Sequence, residues 1–171
     1  MYLSNPVVQE AAVVGEDGRP ARFTELEGAA WGGLLGAHGR LMRLIEHDLQ
    51  ERCGISHPEF EILLRLSWAD GYRARLQDLA RASVLTQSGT SRAVERLERL
   101  GLVRREVAPE DRRGNYAVLL APGRERLERA LDGHVPLVRR AFLDRFTEHE
   151  LEAMAAFWLR TEGRLAARPE P

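Results

Sequence analysis

Hydrophobic residues recur at helical spacing over most of the chain, and alternate at strand spacing in one central region only. Thr24 with Glu27 forms a capping box, in which hydroxyl and carboxylate satisfy each other's backbone amides. It predicts a helix to about residue 52, with Leu26, Ala30, Leu34, Leu41, Leu44, Ile45 and Leu49 as its apolar stripe. Gly28, Gly32, Gly33, Gly36 and Gly39 interrupt that helix at a cost of roughly 1 kcal/mol each. They suit close approach of another helix. Gly54 ends it, and Ser56 with Glu59 caps a short buried helix carrying Phe60, Ile62, Leu63, Leu64 and Leu66 to Trp68. Asp70-Gly71-Tyr72 then turns the chain. Further on, Pro122 opens a long helix with Leu127, Ala130, Leu131, Val135, Val138, Phe142 and Phe146 on its buried side; Pro136 predicts a kink or break within it. Thr147 with Glu150 starts a last helix whose apolar side is Leu151, Met154, Ala155, Trp158 and Leu159. Residues 1–23 read as a loosely ordered tail, or as an arm with a brief helix at 7–14, and the tail from Arg164 is expected to fray.

Residues 76–120 read as helix, tight turn, second helix and two-stranded hairpin. The first helix has Leu76, Leu79, Ala80 and Val84 on its apolar side, and residues 82–85 make the turn. Thr86 is the N-cap of the second helix and Gly101 its stop. Thr90, Ala93, Val94, Leu97 and Leu100 form its buried stripe, opposite Ser88, Ser91, Arg92, Glu95 and Arg99. The hairpin has a strand at 102–107, a turn at 109–114 and a return at 116–120. A second helix that is small and polar at its start suits entry into the major groove of duplex DNA. The two arginines Arg112 and Arg113, beside Gly114 at the hairpin tip, suit a narrow minor groove, where the negative potential is deepest.

The run Leu100-Gly101-Leu102-Val103-Arg104-Arg105, then Glu110-Asp111-Arg112-Arg113, then Ala117-Val118-Leu119, resembles the MarR family of bacterial transcription regulators. The family's wing signature, Asp-x-Arg, falls on Asp111 and Arg113, and the resemblance spans roughly residues 24–165. One departure is Leu120, where the family usually has a threonine that caps the next helix. The resemblance implies a fold that is mainly α with a small β-wing, a winged helix-turn-helix at 73–121 flanked by dimerisation helices at 24–72 and 122–165. It implies a ligand-responsive repressor acting as a homodimer on a pseudo-palindromic operator. The wing arginines would reach the minor groove while the aspartate holds the wing in shape. A small aromatic or anionic effector would bind where the DNA lobe meets the dimerisation helices, near Trp31, His38, Met42, Phe60 and Trp68; each of these also reads as plain core.

Composition changes this picture little. The chain has 171 residues and a formal net charge of −1, which taken alone argues against a polyanionic partner. The charge is uneven, however: residues 73–113 hold ten arginines and six acids, a local excess of +4 that leaves −5 elsewhere. The DNA-contacting set is accordingly read as Thr86, Gln87, Ser88, Thr90, Ser91, Arg92, Glu95 and Arg96 on the second helix. To these are added Arg73 and Arg75 ahead of it, and Asp111, Arg112 and Arg113 in the wing. All 25 basic residues are arginine, which can form bidentate contacts to phosphate and guanine. The lone Cys53 rules out an intrachain disulfide framework and reads as structural rather than redox-active. His38, His47, Cys53 and His57 fit no zinc spacing, and His149-Glu150 lacks the second histidine of a metalloprotease motif. No cofactor, catalytic constellation, signal peptide or membrane span is expected, and the protein reads as cytoplasmic. The alternative is a winged-helix protein-interaction module without DNA binding, which the near-neutral total charge would suit.

Overall fold

A computed structural model of the protein describes residues 13–14, 20–21, 23–83, 85–108 and 111–166, with backbone alone at 13–14, 20–21, 108, 111–114 and 164–166. Three capping boxes set helix starts. Glu27 accepts from the amide and hydroxyl of Thr24 at 2.8 and 2.9 Å, opening helix α1, Glu25–Cys53. Glu59 accepts from the Ser56 amide at 2.8 Å, opening α2, His57–Trp68. Glu150 accepts from the amide and hydroxyl of Thr147, both at 2.8 Å, ahead of α6, Glu148–Ala166. These contacts hold the Glu27 and Glu150 carboxyls below the usual carboxylate range.

The chain divides into two units, Met1–Leu44 and Ile45–Pro171. In the first, strand β1, Val13–Val14, pairs antiparallel with β2, Pro20–Ala21. The brief helix expected at 7–14 is therefore corrected at its last two residues; the rest of it lies outside the described residues. The glycines of α1 do not break the helix. Its apolar stripe divides along its length: Ile45 and Leu49 are buried, whereas Leu26 is 80% exposed and Leu34 and Leu44 are also open.

All buried apolar side chains among the described residues belong to the second unit. There α2 leads through a 3-10 turn, Asp70–Tyr72, in which Gly71 (φ +62°) and Tyr72 (φ +57°) adopt left-handed backbone. The turn delivers β3, Arg73–Arg75, then α3, Leu76–Ala82, and α4, Gln87–Arg99. The hairpin is β4, Val103–Ala108, and β5, Asp111–Leu119, in an antiparallel sheet ordered β3-β5-β4. The third strand is a correction to the two-stranded hairpin read from the sequence. So is the start of β5: Ala108 pairs with Asp111 while Val107 pairs with Asn115, so the extra residues form an irregularity within the ladder and not a six-residue turn. Val84, Pro109 and Glu110 lie outside the described residues.

Helix α4 ends in a Schellman turn. Gly101, at φ +69°, donates to the Glu98 carbonyl at 2.9 Å, and Leu102 donates to that of Leu97 at 3.0 Å. The reversal buries Leu102 and Val103 and starts β4. Helix α5, Ala121–Ala141, begins immediately after β5, with Pro122 in its first turn and no side-chain cap from Leu120. Its position comes from close packing instead: a Cβ at the buried Gly123 would overlap the Leu102 carbonyl oxygen and lie 2.7 Å from Leu119 Cδ1. The expected break at Pro136 does not occur; α5 runs through it to a second 3-10 turn, Leu143–Arg145. Its buried side is also narrower than read: Leu127 and Ala130 are in the core, joined by Gly123 and Gly133, while Val135 is half exposed.

Two predictions follow from this packing. Gly123→Ala is expected to lower the melting temperature: helix propensity favours alanine by roughly 1 kcal/mol, but overpacking against a backbone carbonyl costs about 1–3 kcal/mol or more. The second concerns His134 on α5, whose ring centroid is 4.9 Å from that of Phe60. Burial pushes the His134 pKa below the ordinary histidine value, and the positive charge of His57 pushes it the same way, against a smaller opposing effect of Asp48. The unfolded chain then takes up this proton first. Stability should fall as pH drops through about 6.5 and level off below the folded-state value, and urea titrations from pH 8 to 5 should show a shallower slope for His134→Phe.

Candidate nucleic-acid interface

The exposed face of α4 is built from the helix start outward. The Thr86 hydroxyl accepts the Gly89 amide at 3.1 Å, so this residue caps the helix and holds its first turn open to solvent. Gln87, Ser88, Arg92, Glu95 and Arg99 are exposed on that face, and Ser91 is half-buried beside them. Among the described residues, Arg92 and Arg99 have no ion-pair partner, so two guanidinium groups stand available to an anion. An open cleft lined by Gln77, Ala80, Arg81, Leu85 and Gln87 lies where α3 meets the start of α4.

Two residues assigned to this face belong elsewhere. Thr90 is 1% exposed and packs in the buried stripe with Val94 and Leu97. Arg96, one turn after Arg92, bends from the edge of that face toward α2, where its Nη1 donates to both carboxylate oxygens of Glu59 at 2.9 and 2.8 Å. Its Nη2 donates to the Gly54 carbonyl at 3.4 Å. Glu59 is 3% exposed, and a buried carboxylate needs such a partner, because desolvating it alone costs several kcal/mol. Arg96 is therefore an internal counter-ion.

Arg73 and Arg75 likewise serve the sheet. In β3 they stand on the face of Tyr116 and Glu106: the Arg73 guanidinium lies 3.6 Å from the Tyr116 ring centroid, and its Nε is 3.5 Å from Glu106. The Arg75 Nε donates to the Tyr116 hydroxyl at 3.2 Å. Glu106 also meets Arg104 at 2.6 Å. Backbone places Asp111, Arg112 and Arg113 at the start of β5, and their side chains lie outside the described residues.

The residues named for an effector site fall in both units. Trp31, His38 and Met42 are on the α1 segment of the first, with Trp31 and His38 exposed and Met42 half-buried. Phe60 and Trp68, both on α2, are not brought together: Phe60 is 3% exposed and packs between His57 and His134, whereas Trp68 is 72% exposed at the helix end. Phe60 is a core residue. Cys53 is buried, its carbonyl accepts from Arg126, and burial pushes its thiol pKa up, which disfavours the reactive thiolate.

Sequence reasoning missed Glu98 and Arg105, which join α4 to β4. The Arg105 amide donates to Glu98 Oε1 at 2.8 Å, and the Arg105 Nη2 donates to the Ser91 carbonyl at 2.7 Å. The only local signal was opposite charge seven residues apart across a turn. Glu59 was read as a cap alone, and nothing near it in sequence marked the Arg96 partnership.

A model of the MarR family matches residues 53–114. The HTH-type transcriptional repressor YetL of Bacillus subtilis (strain 168) is 30% identical over 111 residues, 65% of this chain and 65% of that protein. The aligned stretch thus spans a little under two thirds of the repressor's length. The crystal structure of Sco3205, a MarR family transcriptional regulator from Streptomyces coelicolor in complex with DNA, is similar with a TM-score of 0.81 and 33% identity, covering 86% of this chain and 95% of that one. AbsC, a MarR family transcriptional regulator from the same organism, gives a TM-score of 0.81 and 34% identity over 86% of this chain and 99% of its own.

The division between outward and inward arginines is testable in urea at fixed protein concentration. Arg96→Ala is expected to lower the unfolding free energy by about 2 kcal/mol, less than for a fully buried pair because its guanidinium is partly solvated. Arg92→Ala should stay within about 0.5 kcal/mol of wild type.

Proposed function

This chain belongs to the MarR family of transcriptional regulators, and from that premise we propose that it binds duplex DNA as a homodimer and represses transcription. The observation that carries the reading is the exposed face of α4, where Gln87, Ser88, Arg92 and Arg99 are open to solvent beside half-buried Ser91, and Arg92 and Arg99 have no ion-pair partner among the described residues. Short side chains at the helix start let a groove wall approach, and the free guanidinium groups suit phosphate and guanine. The DNA-bound state of Sco3205, at 33% identity, supports the same use of this lobe. YetL, a repressor, supports the sign of regulation.

The remaining assignments extend this reading. The DNA lobe is residues 73–121, with 24–72 and 122–165 forming the dimer. Arg112 and Arg113 enter the minor groove on a wing shaped by Asp111. Exposed Leu26, Trp31, Leu34 and Leu35 on α1 in the first unit, and Val135, Phe157 and Leu159 on α5 and α6 in the second, are apolar side chains that a second copy would cover. A small aromatic or anionic effector that prefers one spacing of the two lobes would weaken operator binding. Residence in the cytoplasm follows from this role, and no helix of the described residues is long and apolar enough to cross a membrane.

Fluorescence anisotropy with DNA from the protein's own promoter region tests the proposal. Affinity should fall with salt, each neutralised phosphate adding about −0.9 to the log–log slope. Arg92→Ala and Arg113→Ala should each weaken binding by about 1–3 kcal/mol if they meet a base, or make the slope shallower by about one phosphate if they meet the backbone. A slope indistinguishable from zero would reject DNA binding and leave the protein-interaction module.

A further inference from the structure

The geometry points to Arg105 and Glu98 as positioning residues that fix the wing against the recognition helix, a reading that rests on the DNA binding proposed above. In the ladder Arg105 pairs with buried Ala117, and Val103 with buried Leu119. Arg105 therefore stands on the inner face of the sheet, toward α4, and not on the outer face that carries Arg104, Glu106 and Tyr116. From there it makes three contacts to one side of α4. Its amide donates to Glu98 Oε1 at 2.8 Å, its Nε lies 3.6 Å from Glu98 Oε2, and its Nη2 donates to the Ser91 carbonyl at 2.7 Å. Glu98 is in the last turn of the helix, and Ser91 lies seven residues earlier.

Contacts two turns apart constrain more than a single pair. The amide and guanidinium of one β4 residue grip α4 at two heights, opposing both sliding along the helix and rotation about it. The planar fork of arginine suits this span, whereas a lysine offers a single point charge. Ser91 is beside the exposed face, so the guanidinium holds the backbone of a segment that is to meet DNA. The wing bearing Arg112 and Arg113 and the helix bearing Arg92 are thereby set at one separation, as simultaneous use of two grooves requires.

This account and direct DNA contact by Arg105 predict opposite signs. Removing an acid from a DNA-binding lobe ordinarily tightens binding by lowering repulsion. If Glu98 positions the wing, removing it weakens specific binding instead. The experiment uses the duplex that the wild-type protein enriches from a random 30-base-pair library, with a scrambled duplex of equal composition as control. Glu98→Ala, which puts the best helix former on an exposed position, and Arg105→Lys, which keeps the cation, are each measured on both duplexes.

The expected result is a loss of about tenfold on the enriched duplex for each variant, the scale on which residues outside a binding contact alter it. Affinity for the scrambled duplex should be unchanged or tighter, and the double variant should lose no more than the worse single one. Circular dichroism on each sample confirms that the folded protein is being compared. Glu98→Ala binding the enriched duplex as tightly as wild type, or more tightly, would overturn the proposal. So would a lower melting temperature with an unaltered ratio between the two duplexes, since that is stability alone. A wild type that enriches no sequence brings down the DNA-binding reading and this one with it, whereas a specific wild type with indifferent variants brings down this one alone.

Discussion

A carboxylate buried beneath a helix must be neutralised by something, and in this chain the partner is an arginine of α4. Glu59 caps α2 through the Ser56 amide and takes both bonds from Arg96 of α4. The apolar contacts of Val94 and Leu97 hold α4 against the core, at roughly 1.5–3 kcal/mol each, but such contacts are nearly indifferent to small rotations of the helix. The ion pair is directional. One turn after Arg92, Arg96 stands at the edge of the exposed face, and its bonds to Glu59 pin that edge to the core while Arg92, Glu95 and Arg99 stay exposed. Buried ion pairs are weak sources of net stability and better attested as devices that select one arrangement. The neighbouring bond from the His57 amide to Glu46 at 2.7 Å ties the same corner to the end of α1.

From that anchored helix the rest of the lobe is placed by short-range constraints. The Gly101 reversal gives β4 its starting point and sends Leu102 inward. Gly123 lets α5 begin directly above the Leu102 carbonyl, which also accepts the Leu120 amide at 3.0 Å. The threonine cap usual at position 120 in this family is replaced by contact: the helix starts where strand and turn leave room for it. On the outer face of the sheet, Arg73 and Arg104 share Glu106 around Tyr116. That face absorbs part of the positive charge of the lobe, so the local excess is less concentrated than the sequence count suggests.

What could be read from the sequence was what is local. All three capping boxes involve residues three apart, and their chemistry needs no tertiary information. Thr86 and Gly101 bounded α4 for the same reason. Arg96 was read as a DNA contact because a charged residue on an amphipathic helix is assigned to solvent unless a buried counter-charge is known, and Glu59 lies 37 residues earlier. β3 was missed because three residues give too short an alternation to set against the turn chemistry before it. Pro136 was expected to kink or break α5; the helix is not broken there but continues through it to Ala141. Phe60 was placed beside a pocket through the family resemblance, but it packs against His57 of α2 itself and His134 of α5.

The distribution of exposed apolar side chains separates the work of the two regions. On α4 no large apolar side chain is exposed among the described residues; Leu100, the C-cap just beyond it, is the nearest one that is. On α1 the exposed set includes Leu26, Trp31, Leu34, Leu35 and Leu44, and α6 adds Phe157 and Leu159. The face proposed to meet DNA must stay polar and open to exchange its water for phosphate and base edges. A face that leaves leucine and tryptophan in water gains by meeting another apolar surface, at roughly 25 cal/mol for each Å² covered. The glycines of α1 sharpen the contrast: Gly33 has no neighbour within 4 Å of where a Cβ would stand. Among the described residues of its own unit nothing requires glycine there, and helix propensity alone would favour alanine by roughly 1 kcal/mol. A second helix laid closely against that surface would supply the missing reason and cover the exposed leucines in the same step.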